Sequence, residues 1–234
     1  MSDNNYTVFD ALVDIVAAPA RALDNIRGHT AWFWWPLLIT IAVACAAFAY
    51  YYSWVDFDWL VDETIAALPP ENRADAADAV RAFMSPTTSI VTTVIAVVLV
   101  TLLIYLIQSL YLHIAAKLAT GAQIRYGQWF NFSAWTAFPG MFGALAMFVV
   151  LFLADTNQVG QHELSPFSMN QLFIHAAPGE PWFNWGNSLN LFHLWMLALE
   201  IFGFRRWTGA SLLKSAIIAV LPWALVFGIW AATI

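Results

Sequence analysis

Five apolar runs, roughly residues 31–53, 88–116, 130–154, 188–204 and 212–233, take up most of this 234-residue chain. Each is long enough, or nearly so, to cross a bilayer core, which takes about 20 apolar residues in a helix. With 61% of residues hydrophobic and 10% charged, no water-facing surface of ordinary size is left to build. The expected fold is an all-α membrane protein: a five-transmembrane-helix bundle over residues 31–234. An amphipathic cytoplasmic segment, 1–30, precedes it, and two extracytoplasmic loops interrupt it. The chain opens acidic and polar, with no basic leader before a short apolar core, so the first run is expected to remain as an anchor.

Charge sets the expected orientation. Arg21 and Arg27 precede the first run, Lys117 and Arg125 follow the second, and Arg205, Arg206 and Lys214 lie between the fourth and fifth. The other two connections carry only Arg73 and Arg81. Basic loops stay on the cytoplasmic side, which places the N-terminus there and the C-terminus, after five crossings, on the far side. Tyr50, Tyr51, Tyr52 and Trp54, with Trp32, Trp34 and Trp35 at the other end, bracket the first span at headgroup level. The net charge of −6 argues against a general nucleic-acid or anionic-membrane binder, since both call for clustered cations. Cys45, the single cysteine, lies inside the first run among alanines and reads as a packing residue.

Residues 6–27 carry Val8, Leu12, Ile15, Val16, Leu23 and Ile26 near helical spacing, with Asp10, Asp14, Arg21 and Asp24 between them. Pro19 is expected to break that helix, and its acidic side favours packing against the bundle over lying on anionic lipid. In the first outer loop, Pro69-Pro70-Glu71 predicts a helix start and Ser85-Pro86 its end. Gly121 predicts the stop of the second span. The second outer loop, 155–187, is rich in Pro, Asn and aromatics and predicts an ordered, membrane-hugging segment.

Ionisable groups inside a span are functional suspects, because charge in hydrocarbon is costly. Gln108, His113, His193, Glu200 and Lys214 fall within or at the ends of the runs. His193 and Glu200, seven apart, share one helix face. His113, His193 and Glu200 are therefore the candidate binding residues, either a proton relay or metal pocket, or interhelical hydrogen-bonding groups. The second reading is favoured, because the set lacks tight metal-ligand spacing. His162, Glu163 and His175 match no metal motif either. No metalloprotease, serine-hydrolase or phosphate-loop motif occurs, and no catalytic residue, metal or cofactor is assigned.

Several pieces in order resemble the Yip-domain family, integral membrane proteins named for interaction with Ypt/Rab GTPases, in its bacterial branch. They are Pro19-Ala-Arg-Ala-Leu-Asp-Asn-Ile26, Trp35-Pro36-Leu37-Leu38, His113-Ile-Ala-Ala-Lys117, Gly121, Tyr126, Ala134-Trp-Thr-Ala-Phe-Pro139, Trp195, Gly203 and Gly209. The second outer loop is longer and more aromatic than a minimal member needs. The resemblance implies five spans, a cytoplasmic N-terminus, no enzymatic activity and an inner-membrane location. Some bacterial relatives are encoded beside ABC exporters, which implies an accessory role, whereas Rab binding is not carried over to so short a cytoplasmic tail. The expected function is a non-enzymatic scaffold or accessory subunit of a membrane complex such as an ABC-type exporter. Its expected partners are the lipid bilayer and another membrane protein or a second copy, with no nucleic acid. The rivals are a small transporter or channel through His113, His193 and Glu200, and an intramembrane metal-dependent enzyme.

Overall fold

The computed structural model describes residues 5–68 and 70–234. The opening acidic residues and Pro69, the expected helix start, lie outside the described residues. The chain begins with α1 (Val8–Ala17), opened by a capping box in which the Thr7 N–H donates to the Asp10 carboxylate at 2.7 Å. Pro19 has no N–H to continue the ladder, so α1 stops and α2 (Pro19–Ile26) starts on the proline itself. This is the break expected at that residue.

A 3₁₀ turn, Thr30–Phe33, leads into α3 (Trp34–Trp54), and together they make the first apolar helix, Thr30–Trp54. The following connection holds two helices where one was expected, α4 (Phe57–Ala66) and α5 (Pro70–Phe83). The Asp56 carboxylate accepts the Trp59 N–H at 3.2 Å and so starts α4. The long α6 (Pro86–Thr120) runs 35 residues, about 52 Å at 1.5 Å per residue, and so outreaches a hydrocarbon core of about 30 Å. It ends, as expected, where Gly121 takes φ +70°.

The third apolar stretch is broken in the middle. α7 (Tyr126–Ala137) passes through a 3₁₀ turn at Phe138-Pro139-Gly140 into α8 (Met141–Leu153), because Pro139 cannot donate to the helix ladder. After a short α9 (Phe183–Ser188), the chain forms α10 (Leu191–Thr208) and α11 (Leu212–Ala232).

Among the described residues four helices, not five, are long and apolar enough to cross a membrane: Thr30–Trp54, Pro86–Thr120, Tyr126–Leu153 and Leu212–Ala232. The run expected at 188–204 is the exception. Its helix starts three residues later and carries Glu200, Arg205 and Arg206, three charges in 18 residues. The protein is thus an all-helical integral membrane protein, with α10 more polar than its neighbours.

The fold divides into two compact units. Unit 1 comprises residues 1–41, 100–140 and 192–233; unit 2 comprises 42–99, 141–191 and Ile234. Unit 1 contains seven of the nine basic residues and five of the fifteen acids, a formal +2. Unit 2 contains Arg73 and Arg81 against ten acids, a formal −8.

In unit 2 the core is Ala47, Tyr51, Tyr52, Val55, Leu60, Met147, Leu151, Val159 and Leu164. The two connections fold together there. The Tyr51 hydroxyl donates to the Val159 carbonyl at 2.9 Å, the Asp56 N–H to the Asn157 carbonyl at 2.9 Å, and the Gln161 amide to the Tyr52 hydroxyl at 3.1 Å. The Asp56 carboxyl is held below the usual carboxylate range, first by the hydrogen bond from Gln158 and then by the Trp59 N–H. A π-helical turn, Asn170–Ile174, ends at His175, whose φ is +57°. The Asn170 side chain ties the turn to the Ala176 backbone at 2.9 and 3.1 Å. The expected order of the 155–187 segment, called the cap below, agrees with these bonds.

Candidate functional site

Unit 1 is built around a seat for α2. The last carbonyls of any helix have no partner within it, and burying them bare costs free energy. Here side chains from α7 and α10 supply the missing donors. The Trp207 indole N–H donates to the Leu23 carbonyl at 2.9 Å, the Asn131 amide to Ile26 at 2.8 Å, and the Gln128 amide to Arg27 at 3.0 Å. Asn131 is itself held by the Trp135 indole, which donates to its Oδ1 at 3.1 Å.

Apolar contact completes the seat. Ala22, Leu23 and Ile26 are fully buried, as are Trp129, Phe132, Trp135 and Phe204. Trp129, Phe132 and Trp207 form one aromatic block with centroid separations of 4.9–5.6 Å. Gly203 makes the close approach possible: a Cβ there would meet Phe132 Cζ at 2.8 Å and Leu23 Cδ2 at 3.2 Å. At the rim, Arg206 donates from Nε and Nη2 to both Asp24 oxygens, and the Arg27 guanidinium lies 5.7 Å from the Trp207 ring centroid. The hydrogen bond from Arg206 holds the Asp24 carboxyl below its ordinary range.

The three residues singled out from the sequence sit in different surroundings. Glu200, 3% exposed, accepts from the Gln108 amide at 2.8 Å. His113 Nδ1 lies 3.0 Å from the Ile124 carbonyl, and its ring meets Tyr126 edge-on at 6.4 Å. His193 packs on the Trp223 ring at 5.1 Å. Among the described residues no group of three or more His, Cys, Asp or Glu side chains could hold a metal ion. In the cap, the Glu163 carboxylate accepts the Gly160 N–H at 2.8 Å, and His162 packs edge-on to Phe183 at 5.4 Å.

Sequence reasoning missed Asn131, Ser109 and Ser133, all fully buried polar residues of unit 1. The Ser109 hydroxyl donates to the Tyr105 carbonyl and lies 3.1 Å from the Ser133 hydroxyl. A signal for Asn131 was present: an amide between Trp129 and Trp135 in an apolar run needs a partner.

No curated protein and no solved structure matches the chain. The Yip1 domain matches residues 13–233, from α1 through the seat and the cap to the end of α11. The chain belongs to the Yip1-domain family.

Proposed function

We propose that the protein is a non-enzymatic membrane scaffold, an accessory subunit of a larger membrane complex, with an ABC-type exporter as the candidate assembly. The observation that carries this reading is how its buried polar groups are used. Glu200, Gln108, Ser109, Ser133 and Asn131 bond to one another or to backbone carbonyls, the pattern of interhelical fastening. The exposed apolar side chains of the cap, Leu172, Phe173 and Trp182, supply a contact surface. The apolar side chains of α2, by contrast, are buried in its seat.

The proposed topology has five crossings, a cytoplasmic N-terminus and an extracytoplasmic C-terminus, in a bacterial inner membrane. The basic residues support this orientation: seven of the nine flank the expected cytoplasmic ends of the spans, and only Arg73 and Arg81 lie in the other connections. α10 is counted as a crossing because three residues join it to α11 and its His193 ring meets Trp223 of that helix. Its buried Glu200 side chain then accepts from Gln108 at membrane depth. The rival polar path has less support, since Glu200, His113 and His193 each have a different neighbour.

The test is extraction of N-terminally tagged protein from native membranes in a mild detergent, followed by mass spectrometry. A membrane protein recovered in stoichiometric amount is expected. Recovery of the chain alone, under conditions that keep known complexes intact, would overturn the reading.

A further inference from the structure

A groove of about 440 Å³ opens on unit 1 between the start of the first apolar helix, α6 and the start of α7. Phe33, Leu106 and Phe130 give it an apolar lining, which Thr30, Tyr126 and Gly127 complete. The lining is fixed. Phe33 and Phe130 meet edge-on at 5.0 Å, and the Tyr126 hydroxyl donates to the Leu106 carbonyl at 3.3 Å. A Cβ at Gly127, one of the lining residues, would meet nothing within 4 Å, so a side chain there has open space.

Two observations decide what fits. The exposed Trp34 and Trp35, which follow the lining residue Phe33, mark the headgroup level, while Leu103, Ile104, Ile107 and Leu110 are exposed apolar residues of α6. The groove therefore runs from the interface into the lipid-facing side of a spanning helix. The second observation is charge. Arg125, the chain neighbour of Tyr126 in the lining, is exposed and has no carboxylate partner among the described residues. It belongs to the unit with the +2, a feature that the overall −6 conceals.

We infer that this groove is a binding site for one anionic phospholipid, with an acyl chain against Phe33, Leu106 and Phe130 and the phosphate at Arg125. The site is independent of the scaffold reading and would stand or fall without it. Its size lies within the range of about 300–1,000 Å³ common for small-molecule sites.

The test uses full-length protein in neutral detergent with labelled phosphatidylglycerol or phosphatidylcholine. Wild-type protein should retain phosphatidylglycerol about fivefold better than phosphatidylcholine, the effect of one basic side chain near an anionic headgroup. Arg125→Gln should erase that preference, and Gly127→Phe should lower retention of both lipids by filling the groove. Gly127→Ala, which meets no neighbour, is the folding control and should bind as wild type does. Equal retention of the two lipids by wild type, or undiminished binding by Gly127→Phe, would overturn the proposal. So would a change in oligomeric state of Gly127→Phe with lipid retention unaltered, since the occupant would then be a second copy.

Discussion

Asn131, fully buried on α7, donates a 2.8 Å hydrogen bond to the carbonyl of Ile26, 105 residues earlier in the chain. That bond makes α2 part of the helical unit and leaves it unsuited to act as a free tail. Asn131→Ala strands both the Ile26 carbonyl and the Trp135 indole N–H, which accepts no substitute from a methyl group. The expected loss is about 1–3 kcal/mol, typical of leaving a buried polar group unpaired. Thermal unfolding in detergent measures it, and an unchanged midpoint would mean that the seat is dispensable.

Gly203→Ala should be nearly as harmful despite adding one carbon. Its Cβ would press on Phe132 and on Leu23, forcing the aromatic block to shift at a cost of about 1–3 kcal/mol. Trypsin should then cut faster after Arg21 and Arg27 in the variant than in wild type. Equal cutting would show that α2 stays seated.

The Arg206–Asp24 pair should make the seat weakly acid-sensitive. The folded Asp24 carboxyl is depressed, so its stabilisation is present above the unfolded carboxylate value of about 3.9 and is lost as pH falls through the lower folded value. Both side chains are roughly half exposed, 52% for Asp24 and 40% for Arg206, so the pair contributes no more than about 1 kcal/mol. Melting of wild type and Asp24→Asn at several pH values should show a small gap at neutral pH. That gap should close below pH of about 4. A gap that widened on acidification would contradict the assignment.

Glu200→Gln should fold and assemble as wild type does, because a side-chain carbonyl can still accept the Gln108 amide. Glu200→Leu removes the acceptor, and a lower midpoint by about 1–3 kcal/mol is expected. Proteoliposomes containing wild-type protein should show no flux that Glu200→Gln abolishes. Such a flux would favour the transport reading.

The topology can be counted directly. In a Cys45→Ser background, a cysteine placed at Thr233 should react with a membrane-impermeant reagent from outside the cell, and one placed at Thr7 should not. Labelling of both positions from the same side would leave four crossings and put α10 on the surface.

The helices were legible because hydrocarbon demands long apolar runs, and Pro19 and Gly121 mark their breaks through backbone geometry alone. The far end of α10 was not, since Arg205 and Arg206 end the hydropathy signal while the backbone helix continues to Thr208. α4 was hidden because its capping residue, Asp56, stands among other acids that look like an undifferentiated loop. The seat was the least legible feature. Its acceptors are the backbone carbonyls of Leu23, Ile26 and Arg27, which no residue type announces, and its donors lie more than a hundred residues away. The cap was partly legible from its aromatic content, but its pairing through Tyr51, Tyr52 and Asp56 depends on contacts that spacing does not encode.

The scaffold account is tested most directly by comparing native pull-downs of wild type and a cap variant with Leu172, Phe173 and Trp182 all changed to Ser. The account predicts a stoichiometric membrane partner with wild type, and its loss with the variant while that variant remains monodisperse and unaltered in melting. A partner retained at wild-type level by the cap variant, or no partner for either protein, would contradict it.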